Sequence, residues 1–131
     1  MELAERLAAE QPLLTKAFER LELDVAGRVL VIPEHRLGDG WNLMATPVLV
    51  EIPPGYPTTP PDNICVTSDL RLANGATPAN TMGIREIAGR SWLQFSYHIE
   101  AGDWRPHPDL SLSDTLVTYL VGALGRLAEA N

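Results

Sequence analysis

Ser96 and His98 stand two residues apart, and Glu100 and Asp103 follow closely. In an extended backbone, residues i and i+2 point to the same face. A hydroxyl and an imidazole placed that way form a nucleophile–base pair, and Asp103 or Glu100 would orient the ring. Such a pair would serve nucleophilic catalysis, because a serine hydroxyl is a poor nucleophile unless a base takes its proton. A plainer account of the same residues is a small polar serine beside a hydrogen-bonded structural histidine. His98, Glu100, Asp103 and His107 can each ligate zinc, but their spacing matches no recognised zinc motif. No metal or other cofactor is expected. The one cysteine, Cys65, lies between Ile64 and Val66 and reads as an inert core residue.

The elements that would position these residues follow from periodicity and punctuation. Leu3, Leu7, Leu14 and Phe18 sit near helical spacing, which predicts a helix from Glu2 to about Glu22. Pro12 lacks an N–H and marks a break in it, or the start of a second helical piece. Leu23 to about Pro33 reads as a strand, as do Met44 to Ile52 and Asn63 to Thr67. Pro47 places an edge or a bulge in the second of these. Pro53 to Pro61 is a proline-dense loop. Residues 68–90 carry turn signals at Asn74-Gly75, Pro78, Gly83 and Gly89 without a readable element. Trp92 to Ile99 is a strand or a tightly packed loop, and Gly102 to Pro108 is a loop. Ser111 is the expected N-cap of a last helix, with Asp114 reaching back to its free amides. Leu112, Leu116, Leu120, Leu124 and Leu127, with Val117 and Val121, make one face of that helix. Gly122 and Gly125 weaken it and permit close packing on the sheet. Trp41, Trp92 and Trp104 read as core or loop anchors.

Composition bounds the rest. The 131 residues suit one domain, 1–131, with one core, and 45% of them are apolar. A lone cysteine cannot form an internal disulfide. The chain has no apolar run long enough for a membrane span and its first residues lack a secretory pattern, so it is read as cytoplasmic. A net charge of −7 without a basic stripe argues against nucleic-acid binding. Lys16 is the only lysine. A preference for arginine accounts for this, and avoidance of self-modification by an acyl carrier is the sharper alternative.

The order helix, strands, proline loop, irregular segment, Trp loop, helix carries a resemblance. Ile52-Pro53-Pro54-Gly55-Tyr56-Pro57-Thr58-Thr59-Pro60-Pro61 resembles the FPxxYPxxPP segment of ubiquitin-conjugating enzymes, which joins two strands of their meander. Trp104-Arg105-Pro106 resembles their WxP loop, which precedes a helix. Trp92, Ser96-Tyr97-His98, Trp104 and Asp109 are similar to a pattern of the prokaryotic ubiquitin-conjugating family E. The resemblance implies an α+β, UBC-like fold with an N-terminal helix, an antiparallel meander sheet and a C-terminal helix. Counting back eight residues from Trp104, to the family's catalytic cysteine, reaches Ser96. The His-Pro-Asn motif is missing, and Thr77-Pro78-Ala79-Asn80 only echoes it.

What the resemblance implies is a conjugating-enzyme-like component of a bacterial ubiquitin-like pathway. It would receive a ubiquitin-like protein from an activating-enzyme-like partner and carry it as an oxyester on Ser96, with His98 and Asp103 assisting. Tyr56 and Trp104 are expected at partner contacts, and a JAB-type metallopeptidase is expected in the same pathway. The alternative is a catalytically inactive variant that binds a ubiquitin-like protein or an activating-enzyme-like partner without chemistry.

Overall fold

The computed structural model describes residues 2–130. It is α+β: helix α1 (Leu3–Ala17), six strands in one sheet, and helix α2 (Leu116–Ala128). The strands are β1 (Glu22–Asp24), β2 (Val29–Arg36), β3 (Ala45–Glu51), β4 (Ile64–Thr67), β5 (Thr81–Ile87) and β6 (Arg90–Phe95). The sheet order is β1-β2-β3-β4-β6-β5, and every neighbouring pair is antiparallel. The first four strands are a meander. The chain then crosses to the outer edge as β5 and returns as β6 beside β4. No helix among the described residues is long and apolar enough to cross a membrane.

Alternation along the strands divides the sheet into two faces. Leu30, Ile32, Val48, Val50, Ile64, Val66, Leu93 and Phe95 face the helices and form the main core with Leu7, Leu14, Leu116, Tyr119, Leu120 and Leu127. Leu49, Cys65 and Trp92 form a smaller cluster on the other face. There the Arg90 guanidinium lies 4.6 Å from the centre of the Trp92 ring.

Several boundaries differ from the sequence reading. Helix α1 ends at Ala17, five residues short of Glu22, and runs unbroken through Pro12. Pro12 costs about 3 kcal/mol inside a helix. It lies on the exposed side, as does Ala8, whose carbonyl loses its helical partner to the ring and can be hydrated. Burial of Leu7 and Leu14, at about 1.5–3 kcal/mol each, offsets the cost. The single strand expected over Leu23–Pro33 is two strands joined by a turn. Asp24 Oδ1 accepts from the Gly27 amide at 2.9 Å there, and Arg28 takes a positive φ. Pro47 does mark a bulge: Pro33 and Glu34 together oppose it, so neither proline interrupts a ladder bond.

Helix α2 starts later than expected. Its N-cap is Thr115, paired with Thr118 in a capping box, rather than Ser111. Ser111 and Leu112 belong to a short 3-10 turn (Leu110–Leu112), and Leu112 and Val121 are exposed rather than on the apolar face. Each glycine in α2 costs about 1 kcal/mol. Burial of Leu116, Tyr119, Leu120 and Leu127 outweighs that.

Candidate active site

The β4–β6 ladder builds the site. Ile64 pairs with Phe95, and continuing the antiparallel register outward brings residues 62–63 beside residues 96–98. Asn63 locks that extension. Its amide donates to the Tyr97 carbonyl at 2.9 Å, its Oδ1 accepts from the Tyr97 amide at 3.2 Å, and it adopts φ +65°. The Ser96 amide donates to the Asn80 carbonyl at 2.7 Å, which ties the segment to the approach to β5.

Helix α2 holds the segment from behind. The Tyr119 hydroxyl donates to the Asn63 carbonyl at 2.9 Å. The Tyr97 and Tyr119 rings meet edge-on, 5.3 Å apart. Gly122 makes room for Tyr97: a Cβ there would stand 2.1 Å from the Tyr97 hydroxyl oxygen. The close approach foreseen for Gly122 is therefore to Tyr97, and Gly125 has nothing near it.

Ser96 and His98 project together from this clamp. Ser96 Oγ lies 2.9 Å from His98 Nε2. His98 Nδ1 is hydrogen-bonded to Asp62 Oδ1. Asp62 comes from the end of the proline loop, 36 residues before His98. It occupies the place that sequence reasoning considered for Asp103 or Glu100. An ionised carboxylate only accepts hydrogen bonds, so Asp62 favours a proton on Nδ1, and in the neutral ring that arrangement turns the Nε2 lone pair toward the serine hydroxyl. The His98 and Asp62 side chains are 58% and 67% exposed, so the arrangement is open to water.

Asp103 ends a 3-10 turn (Ala101–Asp103) and lines a depression of about 320 Å³ with Tyr97, His98, Glu100, Trp104 and Asp114. Tyr56 and Trp104 lie inside the fold, 3% and 6% exposed. As partner-contact residues, the role expected of them, they offer almost no surface. Instead they fasten loops. Trp104 Nε1 donates to the Pro57 carbonyl at 2.7 Å, and the Tyr56 hydroxyl donates to Glu10 at 2.5 Å.

Glu10 belongs to a sealed network. It pairs with Arg6 at 2.8 Å, the two being 0% and 1% exposed, and its Oε1 accepts from the Leu116 amide at the start of α2 at 2.7 Å. Arg6 also donates to the His107 carbonyl at 2.6 Å and to Ser113 Oγ at 2.9 Å. Sequence reasoning passed over both. One signal was present: Glu10 sits in the stripe Leu3, Leu7, Glu10, Leu14, where an apolar residue belongs.

Cys65 is buried, and desolvation pushes its thiol up to about 11. The imidazole of His107 is turned to its own loop, where Nδ1 accepts from the Asp109 amide at 2.9 Å. Among the described residues no three His, Cys, Asp or Glu side chains gather as a metal site.

Neither the curated proteins nor the solved structures contain a significant match to this chain. The family model for prokaryotic E2 family E matches residues 13–126, which include the six strands, the Ser96–His98–Asp62 cluster and most of α2. The chain belongs to prokaryotic E2 family E, and with it to the conjugating-enzyme-like proteins.

Proposed function

We propose that this protein is the conjugating component of a bacterial ubiquitin-like pathway, receiving a ubiquitin-like protein from an activating-enzyme-like partner and holding it as an oxyester on Ser96. One observation carries the reading: a hydroxyl stands where the resemblance puts the thiol, 2.9 Å from an imidazole nitrogen. His98 Nε2 takes the Ser96 proton as Oγ attacks the incoming thioester carbonyl, and the thiol leaves. Transfer onward needs an acceptor amine beside the ester. The depression lined by Glu100 and Asp103 meets the site at His98, and its carboxylates favour a cationic amine. Asp103 is thus assigned to the acceptor side rather than to His98.

The binding-module reading draws on a different observation. The amides of Ser96 and Tyr97 are both engaged, by Asn80 and Asn63, and neither is free to cradle an oxyanion. Intact-mass spectrometry separates the two, after mixing the protein with an activating-enzyme-like protein, a ubiquitin-like protein and ATP. An adduct stable to thiol reductant, labile to mild base and absent in Ser96→Ala supports the oxyester carrier. A non-covalent complex without adduct favours the binding module. An adduct lost to reductant and to Cys65→Ala would move the site to the thiol.

A further inference from the structure

A carrier must keep its acyl bond intact until the acceptor arrives, and this site is poorly built for that. The base lies 2.9 Å from the ester-forming oxygen, and the side chains of His98 and Asp62 are more than half exposed. Enclosed sites protect reactive intermediates by excluding water. Here water reaches the same imidazole that activates Ser96.

We infer that Asp62, His98 and Ser96 form a hydrolytic relay, so that the chain on its own passes acyl groups from activated esters and thioesters to water. This rests on Ser96 being the nucleophile, as in the conjugating reading, but needs neither an activating enzyme nor a ubiquitin-like protein. In the first half, Ser96 Oγ bonds to the carbonyl carbon, His98 Nε2 takes the hydroxyl proton, and the alcohol or thiol leaves with that proton. In the second half, water bonds to the acyl carbon and gives a proton to His98. Ser96 Oγ departs and recovers it, and the carboxylic acid is released. Asp62 touches no reacting atom. It is a positioning residue that keeps the imidazole proton on Nδ1 and the lone pair on Nε2.

General-base assistance contributes about 10²–10⁴ in rate, and the engaged amides of Ser96 and Tyr97 give no help with the oxyanion. The expected activity is therefore slow.

The test is hydrolysis of p-nitrophenyl acetate by the whole chain, compared with Ser96→Ala, Asp62→Asn and Cys65→Ala, together with ¹⁵N spectra that read the His98 tautomer. The expected result is multiple turnovers, lost in Ser96→Ala and kept in Cys65→Ala. Asp62→Asn should be slower by roughly tenfold, less than for a buried triad carboxylate because the pair is open to solvent, and its Nδ1 signal should lose its protonated character. A rate and tautomer unchanged in Asp62→Asn would overturn the assignment of Asp62. One acetylation per molecule without turnover would overturn hydrolysis and leave the acyl carrier standing. No reaction with the ester, beside a base-labile adduct formed with the activating partner, would likewise sink the relay alone. Absence of both would sink the conjugating reading with it.

Discussion

Two carboxylates in this molecule stand at the centre of polar networks, and they are opposites. Glu10 is sealed, and it binds Arg6, the Tyr56 hydroxyl and the first amide of α2. Asp62 is open and binds one imidazole, which in turn binds one hydroxyl. A buried, fully partnered charge cannot exchange partners without a large cost, so it fixes geometry. An exposed one contributes little to stability and stays accessible to substrate and water. The chain has thus put its architecture in one network, and the chemistry proposed above falls to the other. Substitution at the two carboxylates should separate those tasks.

The largest effect is expected at the sealed end. Glu10→Ala leaves Arg6 charged and buried without its counter-ion, and should destabilise the fold by about 3–5 kcal/mol. Asp62→Asn should change stability by no more than about 0.5 kcal/mol while slowing the proposed ester hydrolysis. Urea denaturation of both variants measures the contrast. A comparable loss of stability in each would erase it.

The next effect lies where the two regions meet. Gly122→Ala drives a methyl into the Tyr97 hydroxyl and should cost about 1–3 kcal/mol. It should also disturb the Ser96–His98 pair that flanks Tyr97, seen as shifted His98 ring signals. Tyr97→Phe in the same chain removes the closest atom and should restore part of the loss.

The smallest effect concerns the thiol. Burial raises the Cys65 value to about 11, so the folded state holds that proton more tightly than the unfolded chain does. The associated stability is intact below the ordinary thiol range near 9 and declines as pH rises toward 11. The denaturation midpoint should fall across that window, and less steeply in Cys65→Ala. At neutral pH, iodoacetamide should leave the native thiol unmodified.

The sequence was legible wherever local signals decide. YPxxPP and WxP marked real loops, and β4 and the interior of α2 followed from apolar patterning. The edge strand β5 was not read, because residues 82–86 are all exposed and show no alternation. The α2 boundary was misplaced because Ser111 and Thr115 both resemble caps, and only Thr115 has Thr118 to complete a capping box. At the site, the Ser96–His98 spacing was sufficient for that pair. Asp62 was invisible for a topological reason: it reaches His98 across the β4–β6 ladder, and sequence distance carries no trace of that pairing.

Tyr97 stands between Ser96 and His98, and its ring rests on Gly122 while Tyr119 of the same helix grips the Asn63 carbonyl. Both halves of the cluster, the Asp62 side and the Ser96 side, thus hang from α2. The helix is the common support of the hydroxyl and the imidazole. A displacement of about 1 Å is enough to spoil a productive geometry. The position of Ser96 and His98 is therefore set by how α2 packs, although neither residue belongs to that helix.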